Sequence, residues 1–157
     1  MMQKSQSGRS MIEMLAVLMI IGVLSVGALA GLTQVNRKFN AVKMHNDMHS
    51  ISAEVVNLYS WQRSYPDSNQ AGFQATLCRE EVFPDGCDEN NVAYNPFGGV
   101  YTVTTDTNVN SPTFQTLTIT TDNLPESVCK DLEIQEWLYV VGEPECTTGT
   151  SFSVTFE

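Results

Sequence analysis

Hydrophobic and polar positions divide the first half of the chain into three stretches. Residues 1–8 are polar, and Met11–Leu32 is almost entirely apolar, with Glu13 as its one charged residue. An apolar helix of this length crosses a bilayer core of about 30 Å. From residue 33 to about Tyr65 the chain is polar on average, but apolar residues recur at mostly three- and four-residue steps: Val35, Phe39, Val42, Met48, Ile51, Val55 and Leu58. This spacing predicts an amphipathic helix with one apolar stripe.

The apolar and amphipathic stretches are predicted to form a single helix of more than fifty residues. No Gly or Pro interrupts the chain between Gly31 and Pro66. Pro66 and the Asp-Ser-Asn that follows are predicted to end the helix, because proline lacks a backbone N–H and its ring clashes with the preceding turn.

The second half of the chain predicts a small domain of mixed structure. Residues 67–98 are rich in Asn, Asp, Gly and Pro and are predicted to be mostly loop. Four stretches with β-branched and aromatic residues are strand candidates: 99–105, 114–121, 136–141 and 150–156. Pro125 is suited to the first turn of a short helix that ends near Glu133. The fold class is therefore α+β, with the long helix packed on a small antiparallel sheet.

Charge is unevenly distributed along the chain. The formal net charge is −10 and the pI is about 4.5. Three basic residues cluster just past the apolar stretch: Arg37, Lys38 and Lys43. Beyond residue 67 the basic residues are Arg79 and Lys130 alone. This acidic balance argues against nucleic acid as a partner of the soluble part, and a basic stem below an acidic head favours subunits that attract one another.

The sequence offers few candidates for metal binding. His45 and His49 lie four residues apart on one helix face, where a metal could bind, but a solvated helix face is the favoured interpretation. A loop rich in carboxylate and amide oxygens is a calcium candidate: Asp85, Asp88, Glu89 and Asn90. It lacks the spacing of an EF-hand, so a solvated acidic loop is favoured. We predict no metal and no cofactor.

Catalytic motifs are also missing from the sequence. It contains no nucleophile–base arrangement that can be placed, no Gly-rich phosphate loop and no metalloprotease motif. We therefore predict that the protein is not an enzyme.

The segment Ser7–Leu15 resembles the type IV prepilin signal, in which a short polar leader ends in Gly and Glu is the fifth residue of the mature chain. This resemblance implies that a prepilin peptidase cleaves after Gly8, that Arg9 becomes the methylated N-terminus, and that Glu13 neutralises the N-terminal amine of a neighbouring subunit. Family members usually begin with Phe or Met, so Arg9 adds a second positive charge beside that amine. An ionisable residue in a membrane helix is costly and is usually functional.

An ordinary secretory signal peptide is the alternative for this region. Lys4 could serve as its basic part, and Ala28-Leu29-Ala30 has the pattern of a cleavage site. The apolar stretch is longer than such signals usually have and contains Glu13, which favours the prepilin interpretation.

The second half resembles the head of type IVb pilins at three places. These are the turn Asn95–Gly99, the strand Thr118–Thr120, and the helix that begins near Pro125 and contains Cys129–Leu132. The resemblance implies a pilin fold in which this helix brings Cys129 toward a cysteine near the C-terminus. The eight-residue leader is shorter than that of most type IVb pilins, so the subclass stays open.

Four cysteines allow three disulfide pairings, and an even count beyond a membrane segment indicates an oxidising compartment. We favour Cys78–Cys87 and Cys129–Cys146. Short loops lose less entropy on closure, a Pro-Asp-Gly turn lies between the first two cysteines, and the second pair matches the C-terminal region of pilins.

These features predict a leader at 1–8, a transmembrane and filament-core helix at 9–32, an amphipathic helix at 33–66 and a globular head at 67–157. The predicted function is a structural subunit of a type IV pilus, anchored in the inner membrane as a precursor and then assembled into an extracellular homo-oligomeric filament. Prepilin peptidase and an inner-membrane assembly platform are its expected partners. The alternatives are a pseudopilin of type II secretion and a membrane-anchored binding protein that does not polymerise.

Overall fold

A computed structural model describes residues 7–62, 64–68, 72–108, 115–147 and 150–157. The chain divides into two compact units, residues 1–38 and 39–157. Most of the predicted leader, residues 1–6, lies outside the described residues, as does Phe114, which was expected to begin the second strand.

The first unit consists of the beginning of helix α1, which runs from Ser7 to Tyr59. Its large apolar side chains are exposed, from Met11 at 69% to Leu32 at 57%. Within the described part of the chain, α1 is the one helix long and apolar enough to cross a membrane. The apolar stretch therefore has the composition of a membrane anchor, and its unit supplies no core to cover it.

In the second unit, one face of α1 enters the hydrophobic core. The buried residues of this face are Ala41, Met44, Met48, Ile51, Val55 and Tyr59. The prediction of a single stripe was wrong in its first half, because Phe39 and Val42 are exposed. Successive residues of a helix are rotated by about 100°, which places Phe39 and Val42 roughly opposite Met48. The predicted stripe therefore combined apolar residues from two different faces of α1.

Helix α1 also ends earlier than predicted, at Tyr59 rather than near Pro66. A turn follows, in which the Gln62 N–H donates to the Tyr59 carbonyl oxygen at 3.0 Å. The chain then places Tyr65 edge-on against Tyr59, with ring centroids 6.4 Å apart, and Phe73 stacks nearby on Tyr59 at 6.3 Å. The helix thus ends before Pro66, and the chain that follows packs its aromatic rings against Tyr59.

The described residues of the second unit form five antiparallel strands and two short helices besides the end of α1. In chain order these are α2 (Phe73–Arg79), β1 (Ala93–Tyr94), β2 (Val100–Asp106), β3 (Thr116–Thr121), α3 (Glu126–Glu133), β4 (Glu145–Thr147) and β5 (Ser151–Phe156). The strand order is β1-β2-β3-β5-β4. One face of the sheet supplies Val103, Ile119 and Val154 to the core that also contains the buried face of α1. The α+β class with an antiparallel sheet is confirmed.

Several elements differ from the predictions. Helix α2 lies in the stretch predicted to be loop, and the short edge strands β1 and β4 were not predicted. The predicted strand at 136–141 was wrong, since its one ladder contact is an isolated bridge between Val140 and Phe156. Tyr139 has a φ of 60°, which breaks an extended strand at its centre.

Candidate functional site

The predicted processing and assembly residues all lie in the first turns of α1. Gly8, Arg9 and Glu13 belong to the same continuous helix, and four residues of helix separate Arg9 from Glu13 by about 6 Å along the axis. The neighbours of Glu13 are apolar and open, with Ile12 and Met14 each 71% exposed. A carboxylate in such surroundings is costly in hydrocarbon unless a cation meets it, so Glu13 is suited to bind a positive group.

Two disulfides hold the second unit. Cys78, in α2, is joined to Cys87 with Cα atoms 5.6 Å apart, and Cys129, in α3, is joined to Cys146, in β4, with Cα atoms 5.7 Å apart. The second bond ties a helix to the edge strand of the sheet. Within the chain both bonds join cysteines that are neighbours in sequence order.

The Asn95–Gly99 turn is fixed by one buried side chain. The Asn95 carboxamide oxygen accepts hydrogen bonds from the N–H groups of Phe97 and Gly99, at 2.8 and 3.0 Å. Its amide nitrogen donates to the Thr121 hydroxyl at 2.6 Å. A Cβ at position 99 would collide with the backbone oxygen of Asp122, so this turn accepts only glycine there.

A charged pair connects the first disulfide loop to α1. Lys43 Nζ lies 2.7 Å from the Asp85 carboxylate, and both side chains are partly exposed. One turn further along α1, Asp47 is buried and accepts a 3.4 Å hydrogen bond from the Tyr101 hydroxyl. Burial raises the pKa of Asp47 above its ordinary value, against the opposing influence of Lys43.

In the acidic loop that was a calcium candidate, the Asp88 carboxylate is hydrogen-bonded to nearby groups of the protein. Asp88 accepts hydrogen bonds from the N–H groups of Asn90 and Val92, at 2.9 and 2.8 Å, and from the Tyr94 hydroxyl at 3.2 Å. These bonds, the one from Val92 above all, lower the pKa of Asp88. In the described ranges of the chain, no three His, Cys, Asp or Glu residues are grouped to hold a metal ion.

His45 and His49 do not form a solvated helix face, and that prediction was wrong. Both rings pack against Trp137, with centroid distances of 4.4 and 5.2 Å, and lie 4.7 Å from each other. His45 Nε2 is 3.1 Å from the Glu136 carbonyl oxygen. Burial, with a smaller effect from His45, lowers the pKa of His49. The sequence analysis did not identify Trp137, which is distant from both histidines along the chain and packs against both rings.

A groove that the sequence did not reveal lies between α1 and the end of β5. It has a volume of about 590 Å³ and is lined by His49, Ser52, Ala53, Val56, Asn57, Ser60, Leu138, Tyr139, Phe156 and Glu157. We call it the α1–β5 groove. Leu138 and Tyr139 form its outer rim and are 66% and 81% exposed. The two residues are adjacent in the chain, so the rim presents exposed apolar surface beside the groove.

Comparison with known protein families finds a match for the second unit. The family model described as PilS N terminal matches residues 38–156, which is most of the chain and nearly all of the second unit. No curated protein resembles the sequence closely enough to count as a match.

Proposed function

Since the chain belongs to the type IV pilin-like PilS family, we propose that it is a structural subunit of a type IV pilus filament. Family membership confirms the resemblance found in the sequence and indicates a structural protein rather than an enzyme. The observation that carries the proposal is the combination of a family-matched second unit with the exposed apolar stretch Met11–Leu32 of α1, which contains Glu13 as its single carboxylate. Such a helix is stable only in lipid or against other apolar helices.

Maturation is the first step of the proposed function. The precursor is inserted in the inner membrane through α1, and prepilin peptidase cleaves between Gly8 and Arg9. Loss of Lys4 with the leader changes the formal net charge from −10 to −11. The mature chain then begins at Arg9, is methylated there and is passed to the assembly platform.

Assembly is the second step. Extraction of α1 from lipid leaves its apolar side chains in need of a new apolar environment, which copies of the same helix supply. Glu13 then pairs with the N-terminal amine of a neighbouring subunit, so that neither charge is buried alone. Arg9 brings a second cation to the same place.

A pseudopilin would use the same stem, and a monomeric anchored protein would use only its membrane part. Two features of the head favour the pilus. The disulfides stabilise an exposed domain against shear and proteases, and the Asn95 turn belongs to the features that resemble type IVb pilins. The monomeric alternative leaves Glu13 without a role.

Electron microscopy of sheared surface material tests this proposal. The unaltered chain should give filaments whose subunits begin at Arg9 by N-terminal sequencing. The Glu13→Ala chain should be inserted and cleaved but should form few filaments, whereas Glu54→Ala, which removes an exposed carboxylate of the same helix, should leave filament yield unchanged. Absence of filaments from the unaltered chain in a cell with the assembly machinery would refute the pilus assignment, and a mature N-terminus at Gly31 would show a secretory signal peptide instead.

A further inference from the structure

The outer rim of the α1–β5 groove is held in a fixed position. Tyr139 has a positive φ of 60°, a conformation that a bulky residue adopts only when its surroundings impose it. The Tyr139 carbonyl oxygen accepts a hydrogen bond from the Glu157 N–H at 3.0 Å, and the Val141 N–H donates to Thr155 at 2.8 Å. These bonds attach the rim to β5, so that Leu138 and Tyr139 stand open beside the groove rather than folding into it.

The floor of the groove is built from short side chains. Ser52, Ala53 and Ser60 of α1 leave room below the rim, and Val56 lies among them. A second hollow of about 290 Å³ adjoins the first, because both are lined by Val56, Ser60 and Glu157. A large apolar side chain would fill this space and cover the exposed rim.

The charge of the groove indicates a cationic partner. Among its described lining residues Glu157 is acidic and none is Lys or Arg. The unit that contains it, residues 39–157, carries 17 acidic side chains against four basic ones. A partner that presents an apolar anchor beside positive charge is therefore complementary to this surface.

The chain itself carries such a segment. Phe39 and Val42 are 68% and 53% exposed and lie close together on one side of α1, about 60° apart around the helix axis. The two residues directly before Phe39 are Arg37 and Lys38. Lys38 lies about 100° from Phe39 and about 40° from Val42 around the helix axis, so this cation borders the apolar pair. Arg37 lies about 160° from Phe39, on the other side of the helix.

We propose that the α1–β5 groove of one subunit binds Phe39 and Val42 of a second copy of the chain, with Lys38 near Glu157. This inference rests on the proposed filament function. It adds a contact between the second units of two copies to the contact made by their apolar helices. The two surfaces are different, so the contact is heterologous, and repeated heterologous contacts that do not close a ring generate a helical filament.

The contact also sets a distance. Phe39 and Ala53, at the middle of the groove, are 14 residues apart in α1, or about 21 Å along the helix axis. Copies inserted in the membrane in the same orientation would therefore be displaced by about 21 Å along their helices when they meet in this way.

A photo-crosslinking experiment on assembled filaments tests the proposal. The full chain carries benzoylphenylalanine in place of Phe39, and filaments are irradiated, digested and mapped by mass spectrometry. We expect adducts between two copies that involve residues 52–60 or 138–139. Adducts to lipid, to another protein or to other segments of the second copy would overturn the proposal. The same probe at Glu54 serves as the control and should not label the groove.

Matched substitutions provide a second measurement. Leu138→Asp places a charge on the rim and should lower filament yield about tenfold, the effect of losing a well-packed interface residue. Ile134→Asp makes the same change at a residue that is 82% exposed and does not line the groove, and should leave the yield unchanged. Both chains should show the two disulfides on non-reducing gels. If the unaltered chain forms filaments and Leu138→Asp forms them equally well, the contact is refuted while the pilus function stands.

Discussion

The apolar residues of the two units are used in opposite ways. In Met11–Leu32 the large apolar side chains are exposed, with Met19 at 77%, whereas in residues 39–157 many of them are buried in one core, in which Met48 is fully buried. The charges differ as well, since residues 1–38 carry four basic side chains and one acidic, against four and 17 in residues 39–157. The head is stabilised by its own contacts. The stem depends on an apolar environment that its own unit does not supply.

The largest difference is expected from one substitution made in both regions. Met48→Ala removes a fully buried side chain and should lower the free energy of unfolding of the head by about 3 kcal/mol. Met19→Ala should leave it unchanged, because Met19 is no part of the core. Denaturant unfolding of the full chain in detergent measures both. Equal losses would show that the stem contributes to the stability of the head.

Removal of the second disulfide should have an effect of nearly the same size. Cys129→Ser with Cys146→Ser opens a loop of 17 residues and should lower the free energy of unfolding by about 3 kcal/mol. The main reason is that the unfolded chain gains conformational entropy when the cross-link is lost. Peptide mapping without reduction checks the pairing first. A peptide that joins Cys78 to Cys146 would contradict it, and alkylation of four thiols in the native protein would contradict both bonds.

Substitution of a glycine by alanine should affect stability differently in the two units, because only one of the two glycines is packed against backbone atoms. Gly99→Ala forces a Cβ against the backbone of Asp122 and should destabilise the head by about 2 kcal/mol. Gly27→Ala meets no atom within 4 Å and should not change unfolding of the head. Thermal unfolding of the two variants side by side provides the measurement. A head that tolerates Gly99→Ala without loss would show that the Asn95 turn can shift.

The smallest expected effect depends on pH and is confined to the head. Burial lowers the folded-state pKa of His49, so the unfolded chain takes up a proton at higher pH than the folded chain does. The head should therefore keep its full stability above about pH 6.5, the ordinary pKa of histidine, and lose part of it as the pH falls toward the lowered value. His49→Gln should flatten this slope in unfolding midpoints recorded between about pH 7.5 and about pH 5. An unchanged slope would show that His49 is not the group responsible for it.

Sequence patterns predicted the parts of this molecule that depend on local spacing. The apolar stretch, the central strands β2, β3 and β5, and helix α3 each carry their own periodicity or turn residues, and all are present. The true core face of α1 was only half predicted, because Phe39 and Val42 continue the same spacing on the opposite side of the helix.

The parts that were missed depend on contacts between distant segments. The contacts of Trp137 with His45 and His49, and the α1–β5 groove, bring residues of α1 together with residues 137–157. Edge strand β4 has only three residues and is defined by its pairing with β5. Gly8, Arg9 and Glu13 were identified by a motif, and their proposed roles depend on a peptidase and a neighbouring copy rather than on contacts within the chain.

Strand β5 is the last strand along the chain, yet it lies between β3 and β4 in the sheet. The sheet is therefore incomplete until residues 151–156 have been synthesised, long after α1. During that interval Cys78 meets Cys87 before Cys129 emerges, and Cys129 then waits for Cys146. We expect the order of synthesis to favour the native pairing without rearrangement, and a pulse-chase on non-reducing gels should show the first bond before the second.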